Sequence, residues 1–312
     1  MNGLRVLAPG MLSLIEDNGR FGVARYGLSV GGPADLHSYC WANQLLGNPM
    51  NAPTLEITMG NATFFAECDV KLSLTGANTA ASIDGVHLEN WRSFWLHKGQ
   101  TLKLGYAHNG LRAYLAVAGG FNTPKTFSSS ATVMRNKLGG LAERPGTALQ
   151  KGDILPISAT AYLADKKSAW VPRHFIPDYS NELCLGVIES YQADLFSTSA
   201  KQQFYATPYQ ISDKFDRMGI RLQGEAVDCG MSGIVSEGIA YGAIQFPPNG
   251  QPIILLNDRQ TLGGYPKIGC LSKMSLMKLA QARPGSKINF YRANIDLESR
   301  KYCQFVEYFG LP

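Results

Sequence analysis

Glycine and proline punctuate this chain so regularly that long helices have almost nowhere to form. The 312 residues include 33 glycines and 16 prolines. Together they recur on average about every six residues and separate short runs rich in β-branched and aromatic side chains, the signature of a strand-built domain. "ATFFAE", "VKLSLTG", "TLKLGY" and "RAYLAVAGG" are such runs. In "VKLSLTG", Val70, Leu72 and Leu74 alternate with Lys71, Ser73 and Thr75, which predicts a strand with one buried and one solvated face. The expected fold class is therefore mainly β, a barrel or sandwich with few helices.

Two segments escape the rhythm. In "ADLHSYCWANQLLG", Leu36, Tyr39, Cys40, Asn43 and Leu46 recur at helical spacing, Asp35 stands where a capping carboxylate is favourable, and Gly47 supplies a stop. "SKMSLMKLAQARPG" places Leu276, Leu279 and Ala280 on one face before Pro284-Gly285 ends the pattern. At about 100–200 residues per domain the length suits two domains. "SATAYLADKKSAWVPRHFIPDYSN" is polar and proline-broken, so the expected division is domain 1–160, linker 161–181, domain 182–293 and a tail 294–312, docked or mobile. A short echo between "GRFGVARYG" and "DRMGIRLQG" agrees with two domains of similar construction.

Composition argues against several function classes. The formal net charge of +5 is spread without a block of like charges, which gives no case for nucleic acid or a membrane surface. Six cysteines lie far apart without a C-x-x-C pair, and five histidines show no ligand spacing, so no metal site is expected. No stretch reaches the roughly 20 apolar residues of a membrane helix, and the start does not read as a leader. A reduced, cytoplasmic protein is the expectation. There is no Walker loop and no G-x-G-x-x-G.

The segment "SEGIAYGAIQFPPNGQPIILLNDRQTLGGYPKIG" carries the densest chemistry. "PPNG" is a strong turn between two apolar runs and predicts a hairpin. Asp258, Arg259, Gln260, Thr261, Gly263, Gly264 and Tyr265 then emerge where a buried strand leaves the core. Two readings stand: a ligand loop in which Asp258 and Gln260 orient a polar substrate and the glycines allow close approach or positive φ, or a tight crossover with an Asp258–Arg259 ion pair. A second cluster gathers Asp17, Arg20, Arg25, Asp35 and Asn43 among glycines. There, Arg20 and Arg25 offer guanidinium forks for an anion, and Glu56 is positioned to pair with one of them. Lys278 in "LMKLA" lies in a helical pattern and reads as a surface lysine, not as a biotin attachment site.

At these residues the chain resembles the biotin-dependent carboxyltransferase-like family, also called the allophanate hydrolase subunit 2 family, which includes the C-type subunits of ATP-dependent 5-oxoprolinases. The matching blocks are "EDNGRFG", "GGPADLHSYCWANQLLGN", "LEITMG", "LTGAN", "RAYLAVAGG", "GDILPI", "DRMGIRLQG", the 236–269 segment and "LAQARPGSKINF". The resemblance implies two cyclophilin-like β-barrel domains and a chain inactive alone that works with a kinase-inhibitor-like B-type subunit and an A-type subunit. It implies a small amide or lactam as substrate, with ATP used by the complex. The alternatives it carries are a regulatory binding protein antagonising a B-type partner, and the carboxyltransferase component of a biotin-dependent urea or amide carboxylase. On this reading Asp258, Gln260, Glu237 and Arg217 are the catalytic candidates. Asp17, Arg20, Asp35, Asn43, Gln245, Arg259, Thr261, Gly263, Gly264 and Tyr265 are the substrate-binding candidates. Relatives usually carry Gln at Glu16, and a G-S-x-S-T-D pattern where this chain has "SSSATV", so that Ser128 replaces a glycine and Val133 an acid. "LAERPGTAL" departs from the usual Gly-Arg pattern too.

Overall fold

A computed structural model describes residues 3–157, 167–179 and 182–311. Of the expected linker 161–181, residues 161–166 and 180–181 lie outside the described residues. Strands dominate, with four α-helices among the described residues: α1 (Leu36–Gln44), α2 (Thr198–Ala206), α3 (Lys273–Leu279) and α4 (Ile295–Phe309). The chain divides into two compact units, one of residues 1–21 and 31–179, the other of residues 22–30 and 180–312.

The first unit holds a six-stranded and a five-stranded sheet. Leu4, Val6, Leu55, Ile57, Phe64, Leu72, Leu74, Leu102 and Leu115 belong to its shared apolar core. In the five-stranded sheet, strand Asn109–Val117 lies between Thr54–Thr58 and Val70–Asn78, antiparallel to both. The expectation of a half-solvated strand at 70–78 is corrected here: both faces are buried up to Ala77. The reason is α1, which packs on the polar face. Ser73 Oγ donates to the Ala42 carbonyl at 2.6 Å and Thr75 Oγ1 to the Ser38 carbonyl at 2.7 Å, so hydroxyls that alternation assigns to water are satisfied by helix backbone instead. The same packing buries Ser38 and Ala42, while the expected apolar positions Leu36 and Leu46 are only half-buried. Asp35 caps α1 as expected, accepting from the Ser38 amide at 3.2 Å.

The second unit contains a closed seven-stranded barrel in the order Glu182–Glu189, Lys267–Leu271, Ala243–Gln245, Ile253–Leu255, Gly219–Gln223, Tyr209–Phe215 and Lys287–Arg292. Its ends meet through a parallel pairing of the first and last of these. Leu185, Phe204, Phe246, Ile254, Ile268 and Ile288 fill it. The hairpin read from "PPNG" is present: Ala243–Gln245 pairs with Ile253–Leu255, and the Gly250 amide closes a turn onto Pro247 at 2.9 Å. α3 begins at the Ser272 cap and ends at Ala280, before Pro284. The segment after Asn294 is α4, capped by Asn294 and by Gly310 at φ 62°, and it packs on α3. The sequence announces neither α2 nor α4, because weak periodicity in one and clustered charges in the other hide their apolar faces. None of the described helices is long and apolar enough to cross a membrane.

Candidate functional site

In the second unit, the strand Ile253–Leu255 delivers "NDRQTLGGYPKIG" to one end of the barrel. Asp258 turns inward. Its carboxylate accepts from Arg217 Nε at 3.0 Å and from Nη2 at 3.2 Å, and its amide donates to the Arg217 carbonyl at 2.9 Å. Asp258 and Arg217 are buried, at 3% and 4% exposure. The ion pair of the crossover reading thus exists with a different partner: Asp258 pairs with Arg217, not with Arg259. The Arg259 Nε donates to the Ile239 carbonyl at 3.0 Å, and Nη1 to the Leu256 carbonyl at 3.2 Å. Ser29 Oγ donates to the Arg259 carbonyl at 2.9 Å.

Beyond the ion pair, the chain opens a cavity of about 410 Å³ whose lining includes Gln245, Gln260, Tyr265, Asp216, Arg221 and Leu255. Gln245 is the distinctive member. It is 2% exposed, and its Nε2 has no hydrogen-bond partner among the described residues. A buried donor left unmade costs on the order of 1–3 kcal/mol, and such a group beside a cavity is a group waiting for an acceptor. Gly263 makes room for it: a Cβ there would stand 3.1 Å from Nε2 and 2.5 Å from Ile239 Cδ1. Neither Gly263 nor Gly264 has positive φ, so their role here is close packing. Gly264 accepts from the Ile234 amide at 2.7 Å, and Thr261 from the Ile239 amide at 3.0 Å.

Glu237 lies next to this segment through the Glu237↔Gly263 pairing of a two-stranded ribbon. It lines a second cavity of about 330 Å³ with Tyr191, Lys267 and Cys270. Lys267 Nζ stands 2.8 Å from its carboxylate, Gln192 Nε2 donates at 2.6 Å, and the Tyr191 hydroxyl donates as well. The Lys267 hydrogen bond, then that of Tyr191, hold the Glu237 carboxyl below its ordinary range. Cys270 shifts the other way, its thiol raised by burial. Among the described residues, no group of three or more His, Cys, Asp or Glu side chains is disposed to hold a metal ion.

The candidates of the first unit are of a different kind, interior and bonded largely to backbone groups and hydroxyls. Asp17 accepts from the Gly19 amide at 2.9 Å, the Ser129 hydroxyl at 2.5 Å and the Ser130 amide at 2.6 Å. Arg20 donates from Nη2 to the Ala131 carbonyl and is 1% exposed. Two further buried carboxylates clasp the "GGPAD" loop: Glu16 accepts from the Gly32 amide at 3.0 Å and Glu56 from the Ala34 amide at 2.8 Å. The Tyr114 hydroxyl links Glu56 to the helix start, donating to its carboxylate at 2.7 Å and accepting from the Asp35 amide at 2.8 Å. Glu56 also stands 3.4 Å from Arg112 in the neighbouring strand. Asn43 ties the end of α1 to the Ala52 carbonyl at 3.2 Å and to Asn48 at 3.0 Å. Spacing gives no hint of Tyr114 and Arg112, because strand pairing is what brings them to Glu56.

Residues 26–292 match the family model described as "Carboxyltransferase domain, subdomain A and B". Among curated proteins, the chain is 35% identical over 295 residues to the C-type subunit of the Escherichia coli 5-oxoprolinase, covering 94% of this chain and 92% of that one. To the C-type subunit of the Haemophilus influenzae 5-oxoprolinase it is 33% identical, covering 88% and 86%. It is 27% identical to the urea amidolyase of Saccharomyces cerevisiae, covering 92% of this chain but 16% of that much longer one. Among solved structures, TTHA0988 matches with a TM-score of 0.83 at 31% identity over 93% of this chain, which spans 56% of that one. The Kluyveromyces lactis urea amidolyase shares the fold, with a TM-score of 0.88 at 23% identity over 99% of this chain and 20% of that one.

Proposed function

Because the chain belongs to the carboxyltransferase domain family of subdomains A and B, we propose that it is the C-type subunit of an ATP-dependent 5-oxoprolinase, acting with B-type and A-type subunits to open 5-oxoproline to glutamate. The observation that carries this reading is end-to-end correspondence. The two relatives named as C-type subunits of 5-oxoprolinase are matched over 92% and 86% of their own length, whereas the urea amidolyase is matched over only 16%.

The chemistry available in the second unit suits a small lactam. Gln245 offers Nε2 as a donor to the lactam carbonyl oxygen, drawing electron density toward oxygen and making the carbon more electrophilic. Gln260 and Tyr265 border the same cavity and hold the ring's polar edge. Glu237, charged and accessible, is the acid–base candidate for protons released as the ring opens. Asp258 and Arg217 position the loop that carries Gln260. Several candidate groups are already committed within the chain, which weighs against a nucleotide held by them. Arg217 is committed to Asp258, Arg20 is buried on a backbone carbonyl, and Gly263 and Gly264 pack against Ile239 and Ile234. ATP therefore belongs, in this proposal, to a partner subunit.

Co-expression with the neighbouring B-type and A-type proteins tests the reading. The copurified complex should release glutamate from 5-oxoproline with ATP consumption and be indifferent to avidin. A stable complex without turnover would favour the regulatory reading instead. Avidin-sensitive carboxylation of urea or another amide would favour a carboxyltransferase, the second reading that the urea amidolyase relative keeps open.

A further inference from the structure

Of the candidate arginines, Arg217 is tied to a carboxylate and Arg20 is buried, donating to a backbone carbonyl. Arg259 is differently placed. Its guanidinium carbon stands 5.7 Å from the centre of the Tyr241 ring, and Lys273 Nζ stands 4.6 Å from the same centre. Two cations thus lie within reach of one aromatic ring. Among the described residues neither forms an ion pair with a carboxylate, and Lys273 Nζ makes no hydrogen bond. Arg259 spends one N–H of Nε and one of Nη1 on carbonyls, so its other N–H groups, including both on Nη2, remain for a ligand. Those two backbone hydrogen bonds also fix the fork's direction, so less ordering is required when something binds.

The electrostatics of the spot are one-sided. Burial, followed by the Arg259 charge, lowers the pKa of Lys273, and burial lowers that of Arg259. The neighbouring Cys270 thiol feels Arg259, Lys267 and Lys273 together. Lys267 already has Glu237 as its counter-ion. Like charges near one ring, offset in part by Tyr241 and Cys270, leave a positive potential that a small anion would neutralise. Lys273 as a residue keeps exposed surface, while burial desolvates its ammonium.

We infer that Arg259 and Lys273, held against Tyr241, form a binding site for a small oxyanion, either the carboxylate of an organic acid or phosphate. The Arg259 fork meets two oxygens side by side, and the Lys273 ammonium supplies a point charge that adapts to either geometry. The site stands independently of the lactam proposal, which enters only as one source of the carboxylate.

Calorimetric titration of the full chain at low salt with sodium phosphate, 5-oxoproline and pyrrolidin-2-one, the same lactam without its carboxylate, tests it. At least one of the two oxyanions should bind. Lys273→Met and Arg259→Lys should each weaken that binding by about tenfold or more, the scale of a lost hydrogen bond to a charged group. Circular dichroism and melting of Lys273→Met should match wild type, since Nζ holds no backbone group. Phosphate binding that depends on Lys273, with no 5-oxoproline binding, supports the site while counting against the lactam reading. Binding of 5-oxoproline that is insensitive to Lys273→Met keeps the lactam reading and overturns the site. Failure of wild type to bind either oxyanion overturns it too.

Discussion

Asp258 keeps its charge inside the protein only because the Arg217 fork meets both of its oxygens. Removing one member of such a pair strands the other, at a cost of about 3–5 kcal/mol. Asp258→Asn is therefore expected to lower the urea midpoint by that scale, and Asp258→Leu combined with Arg217→Met to recover much of it. An Asp258→Asn chain that melts like wild type yet loses turnover in the complex would make Asp258 a catalytic group. Ser128 offers the opposite case. It sits at φ 64°, where a Cβ is costly and the family resemblance puts glycine; Ser128→Gly should raise stability by about 1 kcal/mol in urea unfolding. The density of polar residues around Asp258 is visible in the chain itself, but partnership is not. Arg217 and Asp258 are 41 residues apart, and only the barrel's strand order makes them neighbours.

Among the elements, the docking of α1 is set by hydrogen bonds as much as by apolar contact. Thr75→Val keeps the shape but leaves the Ser38 carbonyl without its donor, and should cost about 1–3 kcal/mol, read as a shift in the urea midpoint at unchanged slope. The alternation of "VKLSLTG" is legible as a strand, but what covers a polar face is a tertiary fact that periodicity does not carry. The 237–263 ribbon yields a pH test. Glu237 is depressed in the folded protein by Lys267 and Tyr191, so its contribution to stability is present above the ordinary carboxylate pKa and lost as pH falls through the folded value. The melting difference between wild type and Glu237→Gln should accordingly be largest near neutrality and shrink toward zero in acid. A difference constant with pH would mean that the carboxylate's charge does not contribute.

For the molecule as a whole, the mainly β character and the hairpin can be read from turn chemistry alone, because glycine and proline act locally. The closure of the barrel cannot, since it depends on the parallel pairing of Glu182–Glu189 with Lys287–Arg292 across about a hundred intervening residues. Nor can the grouping of residues 22–30 with residues 180–312, for which composition leaves no trace. The candidate site divides in the same way. Gln245 is visible as a polar residue in an apolar strand, but that its Nε2 is buried without a partner follows only from the packing of Gly263 and Ile239 around it. If this chain is an obligatory part of a lactam-opening assembly, its omission is the most direct test. Glutamate release from 5-oxoproline and ATP should be measured with the A-type and B-type proteins, with and without this chain. Release is predicted only in the complete mixture, reduced at least about tenfold when the added chain carries Gln245→Leu. Equal release in its absence would contradict an obligatory role.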